Sequence, residues 1–147
     1  AFEVDHGDLI KPAYGYRIDF KGRSVVLSGD TRFNENVIKF GTGADLLIHE
    51  VAAVRPELIG DKQVVQVMAH HTSPQEAGTV FHRAAPKLAV YTHVVLLARP
   101  GVKALTTDEL LVQTRVSYQG PLVVGEDLMA FEIGNTGVKA IPAGPGR

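Results

Sequence analysis

The sequence predicts an α/β fold, and three observations carry that prediction. Short aliphatic runs at Val25–Leu27, Leu46–Ile48 and Leu88–Tyr91 read as buried strands. Stretches with helix-start signals, Glu35–Phe40, Ser73–Ala84 and Thr106–Val116, alternate with those runs. The chain has 147 residues, 45% of them hydrophobic, which is enough for one core and too few for two comfortable domains.

Each element has a local cause. Phe2-Glu3-Val4 is a short strand that ends in the turn Asp5-His6-Gly7. Tyr14–Phe20 alternates faces, Lys21-Gly22 supplies a turn, and Arg23–Ser28 returns as the second arm of a hairpin. In Glu35–Phe40, Val37, Ile38 and Phe40 share a helical face, and Gly41 and Gly43 stop it. Ala44–Glu50 is a strand with an apolar centre and a polar end, whereas Val51–Lys62, with Pro56 and Gly60, reads as irregular. Ser73-Pro74-Gln75-Glu76 opens a helix: Ser73 is the N-cap, Pro74 the first helical residue, and Glu76 completes a capping box. Lys87–Tyr91 is a third buried strand, and Asp108 and Glu109 sit in the first turn of the last helix. Pro121–Val124 and Leu128–Ile133 are two short closing strands. Residues 1–140 form the folded part, and the Pro/Gly-rich residues 141–147 are expected to be a flexible tail.

Composition removes several classes of function. Lys plus Arg number 15 and Asp plus Glu 16, a net charge of -1, so no broad electrostatic case for nucleic acid exists. The chain has no cysteine, which excludes disulfides, thiol nucleophiles, Cys-ligated zinc and iron–sulfur clusters. A transition metal would need His, Asp and Glu ligands. No apolar run approaches the roughly 20 residues of a membrane span, so no membrane partner is expected. The start at Ala1 reads as the interior of a longer protein, which leaves the compartment open with the cytoplasm as default. There is no G-x-S-x-G elbow, no phosphate-binding P-loop and no G-x-G-x-x-G.

The chemistry collects where strands end. His6 follows Phe2–Val4, Asp30 follows Val25–Leu27, Glu50 follows Leu46–Ile48, and His93 follows Leu88–Tyr91. Loops beyond strand ends commonly build the cleft of a layered α/β fold. Each residue alone has a plainer role open to it, as a turn or a cap; the recurrence points to metal-assisted hydrolysis. Asp30 sits on a tight Gly turn, and His70-His71 precede a helix N-terminus, where a neutral imidazole can help hold an anion. His49 reads as a structural hydrogen-bonder and His82 as a solvated or packed side chain.

Taken in order, His6-Gly7, Ala13–Ile18, Ser28-Gly29-Asp30-Thr31, Ile48-His49-Glu50, His70-His71-Thr72-Ser73 and Tyr91-Thr92-His93 resemble the C-terminal half of metallo-β-lactamase-fold hydrolases. The similarity is to the branch containing ribonuclease Z and arylsulfatase-like enzymes, and it spans residues 2 to about 97. The resemblance implies half of an αββα sandwich, a β-sheet with outer helices. It implies metal-ligand roles for His6, Asp30 and His93, with Asp30 bridging two ions. It implies that Glu50 and His70 assist proton transfer to the leaving oxygen. His71 stands where the family usually has serine, so either histidine can be the acting one.

The family's His-x-His-x-Asp-His signature is absent and would lie upstream of Ala1. In the complete protein the resemblance implies two zinc ions, with manganese or iron as alternatives, delivering hydroxide to a phosphodiester, sulfate or carboxylic ester. Arg17 and Arg32 are candidate anion contacts. The near-neutral charge favours a small anionic ester as substrate and makes nucleic acid an unlikely partner. The alternative is an inactive half-domain that folds by self-association. In either case the second face of Leu46–Ile48 and Leu88–Tyr91 would need cover from the missing half or from a second copy.

Overall fold

The computed structural model describes residues 1–144. Six strands form one sheet in chain order: β1 (Phe2–Val4), β2 (Ala13–Phe20), β3 (Arg23–Leu27), β4 (Leu46–Ala53), β5 (Leu88–Leu96) and β6 (Leu122–Val124). β1–β2 and β2–β3 pair antiparallel; β3–β4, β4–β5 and β5–β6 pair parallel. Lys21 and Gly22 both take positive φ in the β2–β3 turn, the geometry a tight hairpin demands.

Three successive parallel crossovers, β3 to β4, β4 to β5 and β5 to β6, carry the helices. One face of the sheet carries α1 (Glu35–Gly41), α3 (Pro74–Ala84) and α4 (Thr107–Thr114). The register aligns Val26, Leu47 and Ala89 beneath them, all fully buried, and they join Val37, Val80, Phe81 and Leu110 in the main core. Both longer helices open on capping boxes, Ser73 with Glu76 and Thr106 with Glu109. Among the described residues no helix is long and apolar enough to cross a membrane.

Three expectations need correction. Residues 51–62 are not wholly irregular: β4 runs on to Ala53, a 3-10 turn follows at Pro56–Leu58, and α2 (Lys62–Met68) succeeds it. Asp61 caps α2 by accepting from the Gln63 and Val64 amides. Ile141 is not tail: β7 (Ala130–Gly134) and β8 (Gly137–Ile141) form a hairpin in which Ile141 pairs with Ala130. The last three residues of the expected tail lie outside the described residues. The second sheet face is not bare either, because Leu46, Leu88 and Val90 are buried against Phe131, Ile133 and Val138 of that hairpin. Its uncovered part lies on β2, where Tyr14, Tyr16, Ile18 and Phe20 are 41, 51, 49 and 68% exposed along one row.

Candidate functional site

The loops after β1 and β3, one position inside each of β4 and β5, and one helix-to-helix turn build the site; Glu50 and His93 were expected at strand ends, but both strands run on past them to Ala53 and Leu96. β1 delivers His6, whose Nδ1 lies 2.9 Å from the His70 carbonyl. A carbonyl only accepts, so Nδ1 carries the proton and Nε2 keeps a free lone pair. β3 delivers Asp30 through Gly29 at φ +64; a Cβ there would lie 2.3 Å from the Tyr14 carbonyl oxygen, so only glycine fits. β4 delivers Glu50, fully buried, whose backbone amide donates to Ser28 Oγ at 3.1 Å.

The turn from α2 to α3 brings His71 over Glu50. His71 Nδ1 is 2.9 Å from Glu50 Oε2, and the Thr72 amide donates to Glu50 Oε1 at 2.7 Å. Burial pushes the Glu50 carboxyl up to about 8, against the opposing pull of the Thr72 hydrogen bond. Burial also lowers the His71 pKa, and His6 and His93 lower it further. Charge is disfavoured on both partners, so near neutral pH the pair holds a proton without separating charge.

β5 delivers His93 by an irregularity. Glu50 pairs with Thr92 and Val51 with Val94, which leaves His93 bulged out at φ +43. Bulges beside active sites re-aim a side chain, and a non-glycine residue at positive φ stores strain. The His93 Nε2 lies 3.7 Å from Asp30 Oδ2, too far for a hydrogen bond, and both side chains are about half exposed. The His71 ring sits between the His6 and His93 rings, with centroids 5.0 and 5.5 Å away.

The structure thus brings together His6, Asp30, Glu50, His71 and His93. His70 contributes its carbonyl to His6, and its ring lies edge-on to the His6 ring, 5.8 Å away. Between the two adjacent histidines, Glu50 bonds His71. Arg17 and Arg32 stand apart from the role expected of them. Arg17 is committed to Asp19 and the Phe40 carbonyl, and Arg32 bonds Asp5 at 2.7 Å. His49 is buried as expected, with Nδ1 on the Glu50 carbonyl, and His82 is exposed. Sequence reasoning passed over Ser28, Thr31 and Thr72, whose hydroxyls tie the site loops together; serines and threonines flanking site residues were the available signal.

Two imidazoles and a carboxylate are the donor types zinc accepts, and the Nδ1–carbonyl bond of His6 is the orientation expected of a metal ligand. The set fits in kind and falls short in number. Among the described residues no three His, Asp or Glu side chains gather closely enough to hold an ion.

Residues 1–94 match the family model for the beta-lactamase superfamily domain. Ribonuclease Z of Mycobacterium tuberculosis (strain H37Rv) is 32% identical over 127 residues, covering 84% of this chain and 44% of its own length. Ribonuclease Z of Myxococcus xanthus is 32% identical over 130 residues, covering 88% and 39%. The chain spans about half or less of the length of the curated relatives it matches. Among solved structures, the metallo-beta-lactamase fold protein YhfI from Bacillus subtilis aligns with a TM-score of 0.64 at 22% identity, covering 85% of this chain and 45% of that one. The short form of human tRNase Z aligns at 0.51 with 24% identity, covering 89% and 39%. These two share the fold. The chain belongs to the beta-lactamase superfamily and carries a metallo-β-lactamase fold.

Proposed function

We propose that the whole protein is a metal-dependent hydrolase of phosphodiesters in RNA. The observation that carries this reading is the placement of His6 and His93 around His71, which bonds the buried Glu50, with Asp30 3.7 Å from His93. The ribonuclease Z relatives at 32% identity support the substrate class.

His6, Asp30 and His93 would hold the metal on this chain's side, with zinc as the first choice and ligands from elsewhere in the protein completing the set. Bound there, the metal supplies Lewis acidity at the scissile phosphoryl group. The His70 carbonyl fixes the His6 tautomer so that its lone pair stays available. Glu50 orients His71, and the pair hands a proton to the leaving oxygen, general-acid catalysis worth about 10²–10⁴-fold in rate. The exposed sides of Asp30 and His93 leave room for a bulky substrate.

A small anionic ester is the second reading, favoured by the net charge of -1, which offers a polyanion no broad attraction. One experiment separates the readings. Metal content of the full-length protein is measured, followed by metal-dependent turnover of a structured RNA, p-nitrophenyl sulfate and p-nitrophenyl acetate. Cleavage of the RNA supports the proposal, and turnover of the small esters alone replaces it with the second reading. A metal-free protein inert to all three is the inactive half-domain, and the proposal falls.

A further inference from the structure

Two threonines at the floor of the site have no solvent exposure, and neither is a candidate ligand or proton donor. Thr72 makes three bonds, two to β4 and one to the loop after β3. Its amide donates to Glu50 Oε1 at 2.7 Å, its carbonyl accepts from the Ala52 amide at 2.9 Å, and its hydroxyl donates to the Thr31 carbonyl at 2.7 Å. The last bond joins residues 41 apart in sequence. Thr31 follows Asp30 directly, and its own hydroxyl meets the backbone of Asp5, the neighbour of His6, at 3.2 Å. A chain of bonds therefore runs from the His6 segment through Thr31 to Thr72 and on to Glu50, with His71 next to Thr72.

We infer that Thr72 is a positioning residue, whose buried hydroxyl and amide lock the Asp30 loop to the Glu50–His71 pair in one fixed geometry. The inference rests on the proposed hydrolytic site and adds a device to it. The Thr31 carbonyl and the Glu50 carboxyl both lie away from water, so a lost donor has no solvent substitute. Val in place of Thr72 keeps the shape and the amide bond and removes only the hydroxyl.

The test uses the full-length metal-loaded protein with Thr72→Val, Thr72→Ser and Thr72→Cys. Partners lying behind ligands and proton donors typically control about 10–100-fold in activity or metal affinity. Thr72→Val is expected to lower kcat within that range with KM nearly unchanged, and to weaken metal binding measured against a chromogenic chelator. Thr72→Ser restores both, and Thr72→Cys, with a weaker donor, falls between them. Nuclear magnetic resonance of the imidazole protons supplies a readout free of activity. The signal of the proton between His71 Nδ1 and Glu50 Oε2 stays sharp in the wild type and in Thr72→Ser and broadens in Thr72→Val.

A Thr72→Val protein that only melts earlier, with kcat, metal affinity and the imidazole signal unchanged, overturns the inference. So does failure of serine to rescue. If Thr72→Val does not fold, the serine–cysteine comparison decides in the same way. If the wild type hydrolyses nothing, the proposed function fails while the imidazole signal still judges the lock.

Discussion

His49 carries a stability switch whose size follows from its surroundings. The ring is wholly buried, its Nδ1 donates to the Glu50 carbonyl at 2.6 Å, and it stands edge-on to Phe81 with 5.9 Å between centroids. Nε2 has no hydrogen-bond partner, so a proton added there would place an unpaired charge in the core. Burial accordingly lowers the His49 pKa from 6.5 to about 4. Between those two values the unfolded chain binds a proton that the folded chain refuses, so stability falls as pH falls through that window and levels below it. The gap corresponds to about 3 kcal/mol. The measurement is denaturant unfolding of the full-length protein from about pH 7 to pH 4, for wild type and His49→Asn. Asparagine keeps a donor for the Glu50 carbonyl and does not titrate. The variant is expected to be the less stable at neutral pH, and its disadvantage shrinks by about 3 kcal/mol on acidification. Metal loss and other protonations are common to both proteins and cancel. Parallel curves across the window would refute a neutral, buried His49.

Three more outcomes are expected. Gly29→Ala forces a Cβ to 2.3 Å from the Tyr14 carbonyl oxygen at φ +64, so chemical denaturation should register a loss of about 1–3 kcal/mol. Glu50→Gln keeps the Thr72 bond but holds no proton that it can pass to His71 Nδ1; turnover should drop about 10²–10⁴-fold while metal analysis shows unchanged content. Thr106→Ala removes the hydroxyl that accepts from the Glu109 amide at the start of α4, and thermal unfolding should reveal about 1 kcal/mol of lost stability.

The elements readable in the sequence were those with a local cause. Ser73, Pro74 and Glu76 marked the start of α3, and the observed helix ends at Ala84 as its pattern foretold. The turn Lys21-Gly22 marked the β2–β3 hairpin in the same way. What escaped lacked such a cause. α2 is rich in Val and buries only Val64 among its residues, so no amphipathic stripe betrays it; its one signal was the cap Asp61. β8 follows a two-residue turn at Asn135-Thr136, and its pairing with β7 was hidden by the Pro/Gly run beyond it. In the site, His6, Asp30, Glu50 and His93 stood out because each follows an apolar run, although β4 and β5 continue past Glu50 and His93. The choice of His71 over His70 as the partner of Glu50 depends on how the α2–α3 turn is oriented, and that is set by packing alone. Thr31 and Thr72 are ordinary turn residues until the fold places them against each other.

The bulge at His93 also decides which side chains the rest of β5 turns toward the helices. Alternation from Tyr91, which faces the helices, would put residue 93 on that face and Val94 on the opposite one. Because His93 is an extra residue in the ladder, Val94 and Leu96 fall in step with Val51 and Ala53 and pack into the main core. Removing the imidazole and removing the residue are therefore different events. His93→Ala abolishes a side chain, whereas deletion of position 93 inverts the inside and outside of everything up to Leu96. Descendants of this sequence can exchange the residue and abandon its chemistry, but the slot itself is written into the frame of the strand.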